Sequence, residues 1–205
     1  MDFITNILYW LSTGLLIPVT IFLIYYLVRS LILVGSFYGT HISRNKINTK
    51  LNRQINEGKA EEMMEALEYD EKHPSAIIEY LLRIKENRDD STMLDKIIGD
   101  YEIISSKELD KSKLLVKIGP MLGLMGTLIP MGPALVGLAT GDVASMANNM
   151  QVAFSTTVVG IIIGAIGFIT LQIRQRWVAD DMNILQYAVE SSNQRKYEKQ
   201  TQPLS

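Results

Sequence analysis

The sequence predicts an all-α membrane protein with three transmembrane helices and a cytoplasmic helical domain between the first and the second. Two observations lead to this prediction. Charge is segregated, since no Lys or Arg precedes Arg29 and none lies between Lys117 and Arg174, although the 205 residues include 20 basic side chains. The uncharged stretches are also long enough to span a bilayer, because about 20 apolar residues cross about 30 Å of hydrocarbon.

The first transmembrane helix and its extension are predicted in residues 1–40. Residues 3–28 carry no formal charge, and the sequence stays apolar for about ten residues beyond Arg29. A cleaved signal peptide is the alternative interpretation. It is disfavoured because the apolar stretch is too long, no basic residue precedes it and no small-residue cleavage site follows closely.

Two further transmembrane helices are predicted between residues 118 and 173, where Asp142 is the one formal charge. This window accommodates a second helix at 118–138 and a third at 151–173, joined by an external loop at 139–150. The sequence therefore predicts a helical hairpin within the membrane.

The 20 basic residues predict the orientation of these helices. All of them lie in 29–117 or 174–199, and basic residues favour cytoplasmic loops. We therefore expect the N-terminus outside and the C-terminus inside the cell. Segment 41–117, in which apolar residues recur at helical spacing, is then the cytoplasmic domain, and 174–205 is a cytoplasmic tail.

Composition excludes several classes of function. The chain has no Cys and two His, and its formal net charge is −2, so neither a thiolate metal site nor nucleic-acid binding is favoured. The predicted second and third spans contain no Asp, Glu, His, Lys or Arg, which argues against an intramembrane enzyme, a metal site or a cofactor. If the protein conducts protons, a partner must supply the carboxylate.

Small residues follow helical spacing in both of these spans and form one stripe on each helix. Such stripes let helices approach closely in lipid, where packing drives their association. The residues that we predict to pack helices or to face a pore are Gly119, Gly123, Gly126, Ala153, Gly160 and Gly164.

Hydroxyl groups lie close to these stripes. Thr127 is about 14 Å from the cytoplasmic end of its span, and Thr157 is about 9 Å from the outer end of its own. We predict that both line an ion pathway, together with the neighbouring Ser155 and Thr156, because polar groups are costly in lipid. The alternative is that each hydroxyl bonds a carbonyl of its own helix.

Two prolines near Thr127 also allow either a structural or a functional interpretation. Pro130 and Pro133 each remove one N–H donor from the helix and free a carbonyl about four residues earlier. That carbonyl needs a neighbour, a water or an ion in the membrane. The prolines therefore predict a helix distortion that either is structural or adds oxygen atoms to the pathway.

The motifs in these spans resemble a known family. The sequence GPMLGLMGTLIPM at 119–131, followed by AFSTTVVGIIIGAI at 153–166, is similar to the two core helices of the ExbB/TolQ/MotA proton-channel family. The three-span layout resembles the ExbB/TolQ branch. Thr127 matches the threonine of the second-span LGLxGT motif, and Thr157 matches the threonine of the third-span motif.

The resemblance implies a homopentameric ring in the inner (cytoplasmic) membrane of the cell. The ring encloses two copies of a single-span ExbD/TolR/MotB-like partner whose Asp carries the ion. Ion flow through such a complex drives rotary motion or energy transduction, and the family favours H⁺ over Na⁺. The resemblance is imperfect, since Val152 replaces a usual Glu and Ile166 a usual Pro. A structural scaffold or accessory subunit that conducts no ions is the alternative function.

Overall fold

The computed structural model describes residues 2–56 and 76–201, and every element in these two ranges is helical. The helices are α1 (Asp2–Asn56), α2 (Ala76–Glu86), α3 (Ser91–Thr140) and α4 (Val143–Thr201). Residues 57–75 of the predicted domain at 41–117, and residues 202–205 of the predicted tail, lie outside the described residues.

Three helices contain candidate membrane spans, which confirms the all-α prediction with three spans. They lie in Thr13–Phe37 of α1, in α3 (Ser91–Thr140) and in Val143–Asn193 of α4. Length and apolar composition identify these spans. The position of the membrane boundaries along the helices stays a prediction.

A two-residue turn joins α3 to α4, so most of the predicted loop at 139–150 is helical. Gly141 has a φ of 75°, a conformation in which glycine commonly terminates a helix. Asp142 then caps α4, because its Oδ1 accepts a hydrogen bond from the backbone N–H of Ser145 at 3.0 Å. The short turn makes α3 and α4 antiparallel neighbours.

The described residues form two compact units. The first, here the membrane unit, comprises residues 2–36 and 110–172, and the second, here the helical bundle, comprises 37–56, 76–109 and 173–201. In the membrane unit α1 packs on the α3–α4 hairpin around the buried side chains of Leu23, Leu115 and Ile163. Further apolar residues packed against these three are Tyr26, Leu27, Leu33, Leu122 and Val159.

The helical bundle has its own apolar core, contributed by α2 and by the polar parts of α3 and α4. The buried residues of this core are Ile77, Tyr80, Leu81, Ile84, Leu94, Ile97, Tyr101, Ile184, Leu185, Ala188 and Val189. The Tyr80 and Tyr101 rings meet edge to face with centroids 5.1 Å apart. Burial raises the pKa of the Tyr80 phenol, and the Arg83 guanidinium partly offsets that rise. Residues of the predicted tail are thus integral to this bundle.

One buried polar contact in the bundle leads to a prediction about its stability. The Tyr101 hydroxyl donates a hydrogen bond to Oδ2 of Asp181, whose side chain is 1% exposed. Replacing Tyr101 by Phe removes a donor from a buried carboxylate, so we expect a loss of about 1–3 kcal/mol in unfolding free energy. The Tyr187→Phe variant is the matched control because Tyr187 is 41% exposed. Thermal unfolding of both variants in detergent measures the difference, and an equal effect of the two would contradict this role for the hydrogen bond.

Candidate functional site

Glycines of α3 and α4 face each other and bring the two backbones into contact. A Cβ atom added at Gly160 would lie 2.6 Å from the carbonyl oxygen of Gly119 and 2.7 Å from the Cα of Gly123. A Cβ added at Gly119 would lie 2.8 Å from the backbone N of Gly164. The two predicted stripes therefore pack against each other within one chain, along a line that we call the seam.

Thr156 fills the next position of the seam. A Cβ added at Gly126 would lie 2.5 Å from the Cβ and the Oγ1 of Thr156, whose side chain is 7% exposed. The Thr156 hydroxyl donates to the carbonyls of Val152 and Ala153, at 3.1 and 2.9 Å. Ala153 is itself buried. The sequence predicted Thr156 in an ion pathway, and the structure places it between α3 and α4.

Thr127 and Thr157 lie at one level and on one side of the seam. Gly126 of α3 faces Thr156 of α4. Thr127 directly follows Gly126, and Thr157 directly follows Thr156. One further residue turns a helix by about 100°. Because α3 and α4 are antiparallel, this turn carries both threonines to the same side. The structure thus brings Thr127 and Thr157 together on one surface.

Among the described residues, this side of the hairpin lies away from the buried cluster that α1 shares with α3 and α4. Leu122 of α3 and Val159 of α4 pack against the buried cluster to which α1 contributes Leu23. Thr127 is about 140° from Leu122 around α3, and Thr157 is about 200° from Val159 around α4. Both threonines are half-buried within the single chain.

The exposed surface around the two threonines is apolar, and we call it the open flank. Besides Thr127 and Thr157, it consists of Pro120, Leu124, Met131, Phe154, Ile161 and Phe168, all of which are exposed. The threonine hydroxyls are the polar side-chain groups of this surface.

Each threonine donates its hydroxyl hydrogen to its own helix. Thr127 bonds the Leu124 carbonyl at 2.7 Å, and Thr157 bonds the Ala153 carbonyl at 3.1 Å. A hydroxyl oxygen has two acceptor lone pairs in addition to its hydrogen. Both threonines can therefore still accept a hydrogen bond from a protonated acid or coordinate a cation at the open flank.

Ser155 lies on a different face from the other predicted lining residues. It is two residues from Thr157, which corresponds to about 200° around α4. Its side chain is exposed, and its hydroxyl donates to the Gln151 carbonyl at 2.8 Å. The structure therefore does not bring Ser155 to the open flank.

The two predicted distortion sites do not interrupt α3, which continues through Pro130 and Pro133. Pro130 is buried, and Pro133 is half-buried. Pro120 is a contact that the sequence analysis missed, since its ring lies against Gly164, where an added Cβ would be 2.9 Å from the proline Cγ. The sequence signal for this contact was the position of Pro120 directly after Gly119, a residue of the predicted stripe.

The described residues contain no group of three or more His, Cys, Asp or Glu side chains arranged to hold a metal ion. The chemistry of the open flank is thus that of hydroxyls in an apolar surface. Such a surface can guide a proton or a cation but cannot bind and release a proton at neutral pH by itself.

The comparison with known families decides the identity of this hairpin. The model of the MotA/TolQ/ExbB proton channel family matches residues 40–186, more than half of the chain. The chain belongs to this family. The match begins after the candidate span in Thr13–Phe37 and includes the seam and the open flank. No curated protein and no solved structure gives a significant match.

Membership of the MotA/TolQ/ExbB family confirms the resemblance seen in the sequence. The chain is a multi-pass membrane protein and an ion-channel subunit, and not an enzyme. Its assignment to the ExbB/TolQ branch stays a prediction.

Proposed function

We propose that this protein forms a homopentameric ring in the inner membrane and conducts ions together with two copies of a single-span ExbD/TolR-like partner. Ion flow through the complex drives a rotary or energy-transducing device. In each subunit the open flank faces the centre of the ring, where the partner helices lie.

One observation carries this proposal. Thr127 and Thr157, from two different helices, lie at the same level of the hairpin surface that, among the described residues, lies away from the cluster shared with α1. Ordinary packing of the hairpin does not require this arrangement, because the seam is filled by the glycines and by Thr156. Two hydroxyls on an uncovered surface are instead suited to an ion that passes along it.

The chemistry of the open flank favours a proton carried by the partner. Both hydroxyl hydrogens are engaged within α3 and α4, so the oxygens act as acceptors. A protonated carboxyl group on the partner helix would be a matching donor. Because Val152 stands where relatives usually carry Glu, the exchanging carboxylate belongs to the partner. The acceptor role of both hydroxyl oxygens and the family precedent support H⁺ more than Na⁺.

The proposed orientation follows from charge. With the N-terminus outside and the C-terminus inside, the helical bundle lies in the cytoplasm and the turn at Gly141 and Asp142 lies outside. This orientation leaves no basic residue outside the cell, because residues 1–28 and 118–173 contain no Lys or Arg.

The experiment that tests the proposal is the native mass of the complex. The protein is purified in detergent after expression with and without a single-span protein from a neighbouring reading frame, here called the neighbour. Native mass spectrometry then counts the copies of each chain. We expect five copies of this chain, which take up two copies of the neighbour. A monomer or dimer that ignores the neighbour would contradict the proposal and favour a scaffold in which the threonines only bond their own helices.

A further inference from the structure

Lys117 of α3 lies level with an apolar part of α4. A Cβ added at Gly164 would be 2.9 Å from Pro120 Cγ, and one added at Gly167 would be 2.8 Å from the backbone N of Val116. Lys117 is therefore level with the turn of α4 between Gly164 and Gly167. The first basic residue of α4 is Arg174, which follows Gly167 by seven positions. This separation corresponds to about 10 Å along the helix.

The Lys117 side chain is on the same side of the hairpin as the open flank. It is two residues from Leu115, which faces α1, and this spacing corresponds to about 200° around α3. Lys117 is exposed in the single chain. Its ammonium group thus extends the open flank toward the charged end of the hairpin.

Within the part of the chain that the structure describes, no acidic side chain forms an ion pair with Lys117. The nearby Lys113 pairs with Asp110, at 3.1 Å between Nζ and Oδ1. The residues three and four positions from Lys117 are Leu114, Lys113, Pro120 and Met121, none of which is acidic. A charge level with an apolar part of the neighbouring helix is costly unless it is paired, so we expect the counter-charge of Lys117 to come from another molecule.

We infer that Lys117 binds a carboxylate of the single-span partner, at the charged end of that partner's membrane helix. This inference rests on the proposed function, in which the open flank faces the partner. Thr127 lies ten residues farther along α3, or about 15 Å. Because side chains tilt toward the N-terminus of their helix, the ammonium lies somewhat farther from the threonines. The partner's acid is therefore expected about 10–14 residues from its ion-carrying Asp.

Co-purification with the full-length partner in detergent tests the inference. We expect Lys117→Gln to retain about three- to tenfold less partner than the wild type, and Lys117→Arg to retain the wild-type amount. Lys111→Gln is the matched control, because Lys111 is exposed on the same helix but lies four residues from Leu115, on the side that faces α1. Charge reversal adds a second measurement: Lys117→Glu should lose the partner and regain it when the partner's acid is replaced by Lys.

The outcomes separate this inference from the proposed function. If the wild type captures no partner, both are overturned. If the wild type and Lys117→Gln capture the partner equally, the inference alone is overturned. Native mass spectrometry then identifies the alternative, since loss of a bound anionic lipid from Lys117→Gln would assign the ammonium to a lipid phosphate.

Discussion

Replacing Gly160 by Ala is expected to destabilise the α3–α4 hairpin, because the added methyl group would stand where the two backbones are in contact. The new Cβ would lie 2.6 Å from the Gly119 carbonyl oxygen, 2.7 Å from the Gly123 Cα and 3.0 Å from the Gly123 backbone N. All three are backbone atoms, which cannot move aside without separating the helices. Overpacking of this kind costs about 1–3 kcal/mol, and this cost exceeds the gain of about 1 kcal/mol in helix propensity.

Gly132→Ala is the matched control for this prediction. Gly132 also lies within α3, but no atom lies within 4 Å of a Cβ added there. The control should leave stability unchanged or raise it slightly, because Ala is the better helix former. Unfolding midpoints of both variants in detergent measure the effect. If Gly160→Ala unfolded at the midpoint of Gly132→Ala, close backbone contact would not hold the hairpin together.

The glycine stripes could be predicted from sequence, but the exact line of the seam could not. Residues four apart, such as Gly119 and Gly123, share a helix face, so the pattern by itself would continue to Thr127. Each step of four residues turns that line by about 40°, however, and the packing of α4 selects Gly126 for the seam. Which of two neighbours is buried depends on how the helices cross, and this is information that one helix does not contain.

The same limit explains what the sequence missed in the helical bundle. Residues after 173 were predicted as a separate tail, although Ile184 and Leu185 are core residues. Their amphipathic spacing indicates a buried face but does not identify the helices that cover it. Likewise, Ser155 and Thr156 were grouped with Thr157 because they precede it directly in the sequence, whereas the three residues lie on different sides of α4. Only the positions of α1 and α3 show that Thr157 alone among them reaches the open flank.

Replacing Thr157 by Val is expected to abolish most ion conduction while leaving the complex assembled. Val has nearly the shape of Thr, and the Thr157 hydroxyl donates only within α4, so the packing of the hairpin should be retained. The variant removes the acceptor oxygen that we propose for the partner's carboxyl group. Leaving the neutral carboxyl donor without its acceptor costs about 1–3 kcal/mol, which corresponds to about a five- to hundredfold lower flux. Proton uptake into proteoliposomes that contain the chain and its partner measures this flux.

Ser155→Ala is the control that isolates the open flank. It also removes one hydroxyl that donates to a carbonyl of α4, but from a side chain about 200° away around the helix. Flux through this variant should equal that of the wild type, and the native mass of both complexes should be unchanged. A fully active Thr157→Val would remove the hydroxyl from the mechanism. Thr157 lies on the open flank and Ser155 does not. An equal loss of flux in both variants would therefore show that flux depends on polar groups of α4 in general and not on the open flank.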